Sequence, residues 1–277
     1  MPLQLAGRMP MSPRQTLSFL AAPLLAAALL APAPAAARVY SGADRDLPLA
    51  RFEDPLCPGI VGVEQASAEA MVGLIRQNAA ELGLRLADPQ TCDPNLLIAV
   101  IDDPGAYLGG LRARRGYLFD WLGKAERQAL FDTPGPAHTW TRVLMRSRDG
   151  LPVYPSQSLT ELPQTQMEAA HSLIYVPVRR DIVSAMVLID KHAVQGMSVA
   201  QVADYATMRG LSGDQAEQLE APGETILGLF AAKGRPAGLT RSDRIFLETL
   251  YSTMPNNPAA ITLSLADARI AAGKGAE

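Results

Sequence analysis

The chain holds three histidines and two cysteines, so any metal or proton-transfer chemistry must come from a small set of side chains. His138, His171 and His192 are scattered. None forms the His-Glu-x-x-His pair that puts two ligands on one face of a helix. Each lies at the start or end of a strand-like run, which fits a partly exposed structural histidine better than a ligand. Gly196-Met197-Ser198 begins like a nucleophile elbow, but Ala200 stands where the second glycine belongs, and Ser198 reads instead as a helix cap. There is no Gly-x-x-x-x-Gly-Lys loop, and no glycine-rich turn follows the apolar run 96–101. The expectation is a protein with no cofactor and no metal ligands.

The carboxylates offer more. Asp102-Asp103 closes the apolar run Leu96–Ile101 and precedes Pro104, and strand ends are where ligand sites gather. The spacing is also that of an Asp-Pro turn, with Asp103 capping the next helix, and this reading is preferred. Arg112, Arg114 and Arg115 beside Tyr117, Phe119 and Trp121 could present a basic, aromatic surface to an anionic partner. The competing reading is an amphipathic helix with solvated charges. Asp204, Tyr205 and Arg209 sit on one helical run and could face a cleft, although surface polarity explains them equally well. A hydrolase with an unrecognised site would draw on these residues.

Several elements must position them. Residues 65–84 carry Ala66, Ala70, Leu74, Ile75 and Leu82 at helical spacing, with Gly83 as a stop. Leu96–Ile101 reads as a buried strand. A helix bearing Tyr107, Leu108 and Leu111 follows, then a second over Gly123–Phe131 ended by Pro134-Gly135-Pro136. His138–Arg146 alternates as a strand, and Asp149-Gly150 signals a turn. Residues 150–168 read as a surface loop. His171–Val178 and Ile182–Asp190 read as two strands of an antiparallel hairpin joined by Arg179-Arg180-Asp181.

Ser198 with Gln201 forms a capping box for a helix to Arg209, stopped by Gly210, with Val199, Val202, Ala203 and Ala206 as its buried stripe. A polar stretch, 212–223, precedes the apolar turn Thr225–Phe230. Thr240 with Asp243 caps another helix ending near Tyr251, and the tail beyond Asn257 is a further helical candidate with an Ala- and Gly-rich end.

The first 37 residues have the three parts of a secretory signal. Arg8 and Arg14 precede a 14-residue apolar run, Leu17–Leu30, and Ala35-Ala36-Ala37 supplies a cleavage site. A retained anchor is the alternative, but a span needs about 20 apolar residues and Pro23, Pro32 and Pro34 interrupt this segment. Loss of residues 1–37 removes two arginines and no acid, moving the formal net charge from −3 to −5. That balance disfavours nucleic acid as a partner, and no membrane span is expected after cleavage. In an oxidising compartment Cys57 and Cys92, with no C-x-x-C spacing, are expected to form a disulfide.

The segments VADYATMRGL (202–211), ETILGLF (224–230) and GLTRSDRIFLETLY (238–251), with RFEDPLCPGI (51–60), resemble a family of uncharacterised exported bacterial proteins, which carries no activity to transfer. More remotely, the order of strand, helix, strands, edge hairpin and central helix looks like a zincin, or metallopeptidase-like, scaffold. There the central helix carries His-Glu-x-x-His. At the comparable positions this chain has Val202, Ala203, Ala206 and Thr207, none of which can hold zinc, so the resemblance implies a form without metal chemistry.

Together these readings predict a signal segment, 1–37, and one α+β domain, 38–277. The domain has a sheet-containing part (50–195), a helical part (196–277) and a single mixed sheet with packed helices. The protein is expected to be periplasmic or secreted and non-catalytic, binding a protein or cell-envelope partner or serving a structural role in an assembly.

Overall fold

A computed structural model describes residues 45–154, 164–165, 176–213, 225–231 and 234–274. The signal segment, His171, and the polar stretch from 214 to 223 lie outside the described residues. Among the described residues, four strands form one sheet: β1 (Pro58–Val61), β2 (Leu96–Ile101), β3 (Ala137–Ser147) and β4 (Val178–Asp190), in the order β1-β2-β4-β3. β1, β2 and β4 run parallel, and β3 pairs antiparallel with β4 at the edge. The fold is α+β with a mixed sheet. The helices are α1 (Gln65–Glu81), α2 (Pro104–Arg115), α3 (Lys124–Asp132), α4 (Val199–Ser212), α5 (Arg241–Ser252) and α6 (Ala259–Lys274). Short 3-10 turns cover Gly116–Phe119 and Ile226–Phe230.

The unbroken apolar run of β2 follows from its position, because both faces of the sheet are covered. Leu96, Ile98 and Val100 point to one side and join Ile182, Val187 and Ile189 of β4 against α1, α4, α5 and α6. Ala99 and Leu188 point to the other side, where Leu108, Phe119, Leu122 and Leu130 pack on them. Burying side chains of this size contributes roughly 1.5–3 kcal/mol each. Helix α4 is the centre of the larger core: Val202, Ala203, Tyr205, Ala206, Met208 and Leu211 are all buried.

Both expected capping boxes are present. Ser198 and Gln201 close the start of α4, and Thr240 and Asp243 close the start of α5. Two expectations are corrected. Gly210 does not stop α4, which runs on to Ser212 and ends at Gly213, whose φ of +61° suits a residue without Cβ. Gly210 is small because α4 crosses β2 there: an added Cβ would collide with Leu96 Cδ1.

The hairpin is also placed differently. Arg179-Arg180-Asp181 is not a turn but part of the 13-residue strand β4, whose antiparallel partner is β3. The reversal begins at Asp149-Gly150, where Gly150 N–H donates to Ser147 C=O at 2.9 Å. Charged residues within a strand read as a break when their partners are distant in sequence. Asp181 is fully buried and bound by Arg179 at 3.0 Å and Arg146 at 3.5 Å.

Cys57 and Cys92 form the expected disulfide, with Cα atoms 6.2 Å apart, tying the start of β1 to the loop before β2. Asn95 reinforces the junction, accepting from Cys57 N–H at 2.8 Å and donating to Pro55 C=O at 3.0 Å. Among the described residues, no helix is long and apolar enough to cross a membrane.

Candidate binding groove along the edge strand

The pairing of β3 with β4 determines where its backbone groups point. Asp190 N–H donates to Pro136 C=O at 2.8 Å, and Arg148 N–H to Pro177 C=O at 2.9 Å. Antiparallel pairs alternate between bonded and non-bonded, so with the register of Ala137 to Ser147 the even-numbered residues of β3 bond to β4. The odd-numbered ones, Ala137, Thr139, Thr141, Val143 and Met145, aim their N–H and C=O groups away from the sheet. Two flanking bonds agree with this parity. Ser147 N–H turns outward to Leu151 C=O at 2.8 Å, while Arg180 C=O and Ile182 N–H turn away from β3 to Arg51. A bulge on β4 at Val183, which the register skips between Arg142 and Val143, leaves the alternation along β3 intact.

All five odd-numbered residues line a groove of about 680 Å³. Its two walls differ in chemistry. On the α3 side stand Trp121, Leu122, Ala129 and Leu130, with Trp140 from β3; Trp140 packs on Phe119 at 5.5 Å. On the α4 side stand Arg209, Gly213 and Arg180, the last being the cross-strand neighbour of Met145. Arg142 lies over the Trp121 ring at 5.4 Å, and Glu126 is the carboxylate in the lining. His138 is partly buried in the wall. Burial holds its imidazole below the usual pKa, against the opposing pull of backbone groups at Leu130 and Gly135.

Of the residues singled out in the sequence, Trp121 and His138 line this groove, and so does Arg209. Its Nε donates to the Tyr205 hydroxyl at 3.1 Å, and Tyr205 is itself buried, packed on Phe230. Asp204 points elsewhere: it accepts from Asn78 Nδ2 and from Leu239 N–H, both at 2.8 Å, so it joins α4 to α1 and to the approach to α5. Asp103 accepts from Ala106 N–H at 2.8 Å, the capping role its spacing suggests. Asp102 is exposed, 3.8 Å from Lys191 Nζ. The structure therefore does not bring Asp102, Asp103, Asp204 and Tyr205 together. Arg112 stacks on Phe131 at 4.7 Å, and Phe119 is buried rather than displayed beside the basic run.

Sequence reasoning missed two features. One is the groove, whose only signal was the alternation of 138–146. The other is a charged cluster at the far end of the hairpin: Asp181 with Arg179 and Arg146, joined by Glu53 and Arg51. Arg51 also donates to Leu250 C=O at 2.8 Å and Thr253 C=O at 2.7 Å, closing the C-terminus of α5 with a cation. Burial pushes the Asp181 carboxyl up, outweighing the pull of Arg179 and Arg146. Among the described residues, no group of three or more His, Cys, Asp or Glu is placed to hold a metal ion. Compared with family models, curated proteins and solved structures, the chain matches none.

Proposed function

We propose that this is an exported, non-catalytic binding protein that takes an extended polypeptide segment of a cell-envelope or secreted partner as an added strand on β3. The observation that carries this reading is the row of outward backbone groups at Ala137, Thr139, Thr141 and Val143 along the groove; past them the outer side of β3 is taken up by the bridge between Arg146 and Pro152. A strand edge is a template for pairing, and a row from 137 to 143 spans about 20 Å at strand rise. The disulfide supports an oxidising compartment. The zincin-like scaffold, without its metal chemistry, belongs to the same proposal. Helix α4 follows the β3–β4 hairpin, and Val202, Ala203, Ala206 and Thr207 stand in its buried middle.

Synthetic eight-residue peptides provide the test, each with a copy N-methylated at alternate amides. Binding is read by fluorescence anisotropy on the exported, disulfide-bonded protein. Two lost backbone bonds should weaken binding about tenfold or more, and only for one of the two methylation phases. Equal affinity of both phases with the parent peptide would overturn strand addition. A concentration-dependent dimer in light scattering that no peptide dissociates would assign the edge to a second copy instead. One zinc bound per chain in protein from its native compartment would overturn the metal-free reading.

A further inference from the structure

The groove also specifies the side chain it accepts, an inference that rests on strand addition at β3. The odd-numbered residues of β3 face the side of the sheet covered by α4, since Ala137 and Val143 pack on that core. Trp140 faces the opposite side, with Phe119 and Leu130. Helix α3 flanks the strand on that side. Glu126, Ala129, Leu130 and Thr133 recur at spacings of three and four residues, so one helical face borders the groove. Ala129 is small and exposed, and Trp121 keeps 39% of its surface in water. Trp140 is held in a stack of rings: it lies 5.5 Å from Phe119, which meets Phe131 edge-on at 4.9 Å.

Directly opposed residues of neighbouring strands share a face of the sheet. A residue of the added strand opposite Trp140 therefore sends its side chain to the α3 side, toward Trp121 and the helical face that carries Ala129. In the antiparallel sense that pair is of the non-bonded kind, because Trp140 bonds to β4, and its Cα atoms approach to about 4.5 Å. We infer that the ligand is an extended peptide anchored by an aromatic residue opposite Trp140. A flat ring there covers the exposed indole of Trp121 and continues the stack of Phe131, Phe119 and Trp140. Aromatic pairs gain from ring geometry beyond the area they bury. The anchor calls on no charge, which suits a groove whose arginines are engaged, Arg142 on Trp121 and Arg209 on Tyr205.

The experiment uses capped eight-residue threonine peptides with one central guest, Phe, Leu or Gln, each with its two N-methylated copies, on the exported, disulfide-bonded protein. The Phe peptide should bind about tenfold tighter than the Gln peptide and about threefold tighter than the Leu peptide. Raising the ionic strength past about 0.15 M should leave both ratios unchanged, since screening acts on charges. Trp121→Ala removes an exposed ring, and Ala129→Phe crowds the same wall from an exposed helical position. Each should shrink the Phe advantage and leave the Gln peptide unchanged. Equal affinities for Phe and Gln, with one methylation phase still weakening both, would overturn the anchor and leave strand addition standing. Equal affinities for Phe and Leu would overturn the aromatic choice. A Phe advantage that survives in both variants would overturn the placement opposite Trp140. Absence of a phase effect, whatever the guest order, would remove strand addition and the anchor with it. If one variant fails to fold, the other and the guest series on the unaltered protein decide the matter.

Discussion

Asp204 shows how a residue of catalytic type becomes structural. Its carboxylate satisfies the buried amide of Asn78 and the N–H of Leu239, and Thr207 accepts a bond from the same amide at 3.3 Å. Asp204→Ala leaves the Leu239 N–H without its acceptor and Asn78 Nδ2 with Thr207 Oγ1 alone, and should cost about 1–3 kcal/mol in denaturant unfolding; Asp204→Asn should cost less. His138 makes a prediction of opposite kind. Its folded pKa lies below the ordinary 6.5, so between the two values the unfolded chain binds more protons. Stability must then rise with pH through that window and level off above about 6.5. Subtracting the pH profile of His138→Gln from that of the parent isolates this slope, and a flat difference would contradict it.

Among the elements, β3 divides its tasks by parity. Thr139 aims its N–H into the groove, whereas His138 bonds to β4. Proline is tolerated on an edge strand where its missing N–H would face outward. Thr139→Pro should leave the thermal midpoint within a few degrees of the parent and abolish the advantage of one methylation phase. His138→Pro breaks a ladder bond instead and should destabilise by about 1–3 kcal/mol. Equal loss in both variants would show that the register assigned to the edge is wrong. The helices were legible in advance, since α1, α4 and α5 carry their periodicity and caps locally. The hairpin was not. Nothing near Arg179-Arg180-Asp181 announces that Arg146 will pair with Asp181 and Glu53 with Arg179, because those partners arrive from 35 and 126 residues away.

For the molecule as a whole, the disulfide closes a separation of 35 residues. It should contribute about 3–4 kcal/mol in the chain-entropy account. The measurable form is the free-energy difference between oxidised protein and the Cys57→Ser/Cys92→Ser double variant, with a value near zero contradicting it. The staple holds β1 to the start of β2, on the side of the sheet away from β3. The double variant should therefore lose stability and keep its peptide preference.

What the residues determined by themselves was short-range: helix periods, the Ser198 and Thr240 caps, the Asp103 cap, the cysteine pairing and the α+β class. Each depends on neighbours within a turn, or on there being one possible partner, so one sequence suffices. Tertiary structure alone decided that β3 lies at the edge against β4, that Gly210 is a crossing point rather than a stop, and that Arg209 and Arg180 share a wall. Strand order and buried charge depend on contacts whose partners are far apart in sequence, and a local pattern carries no record of which distant segment will meet it.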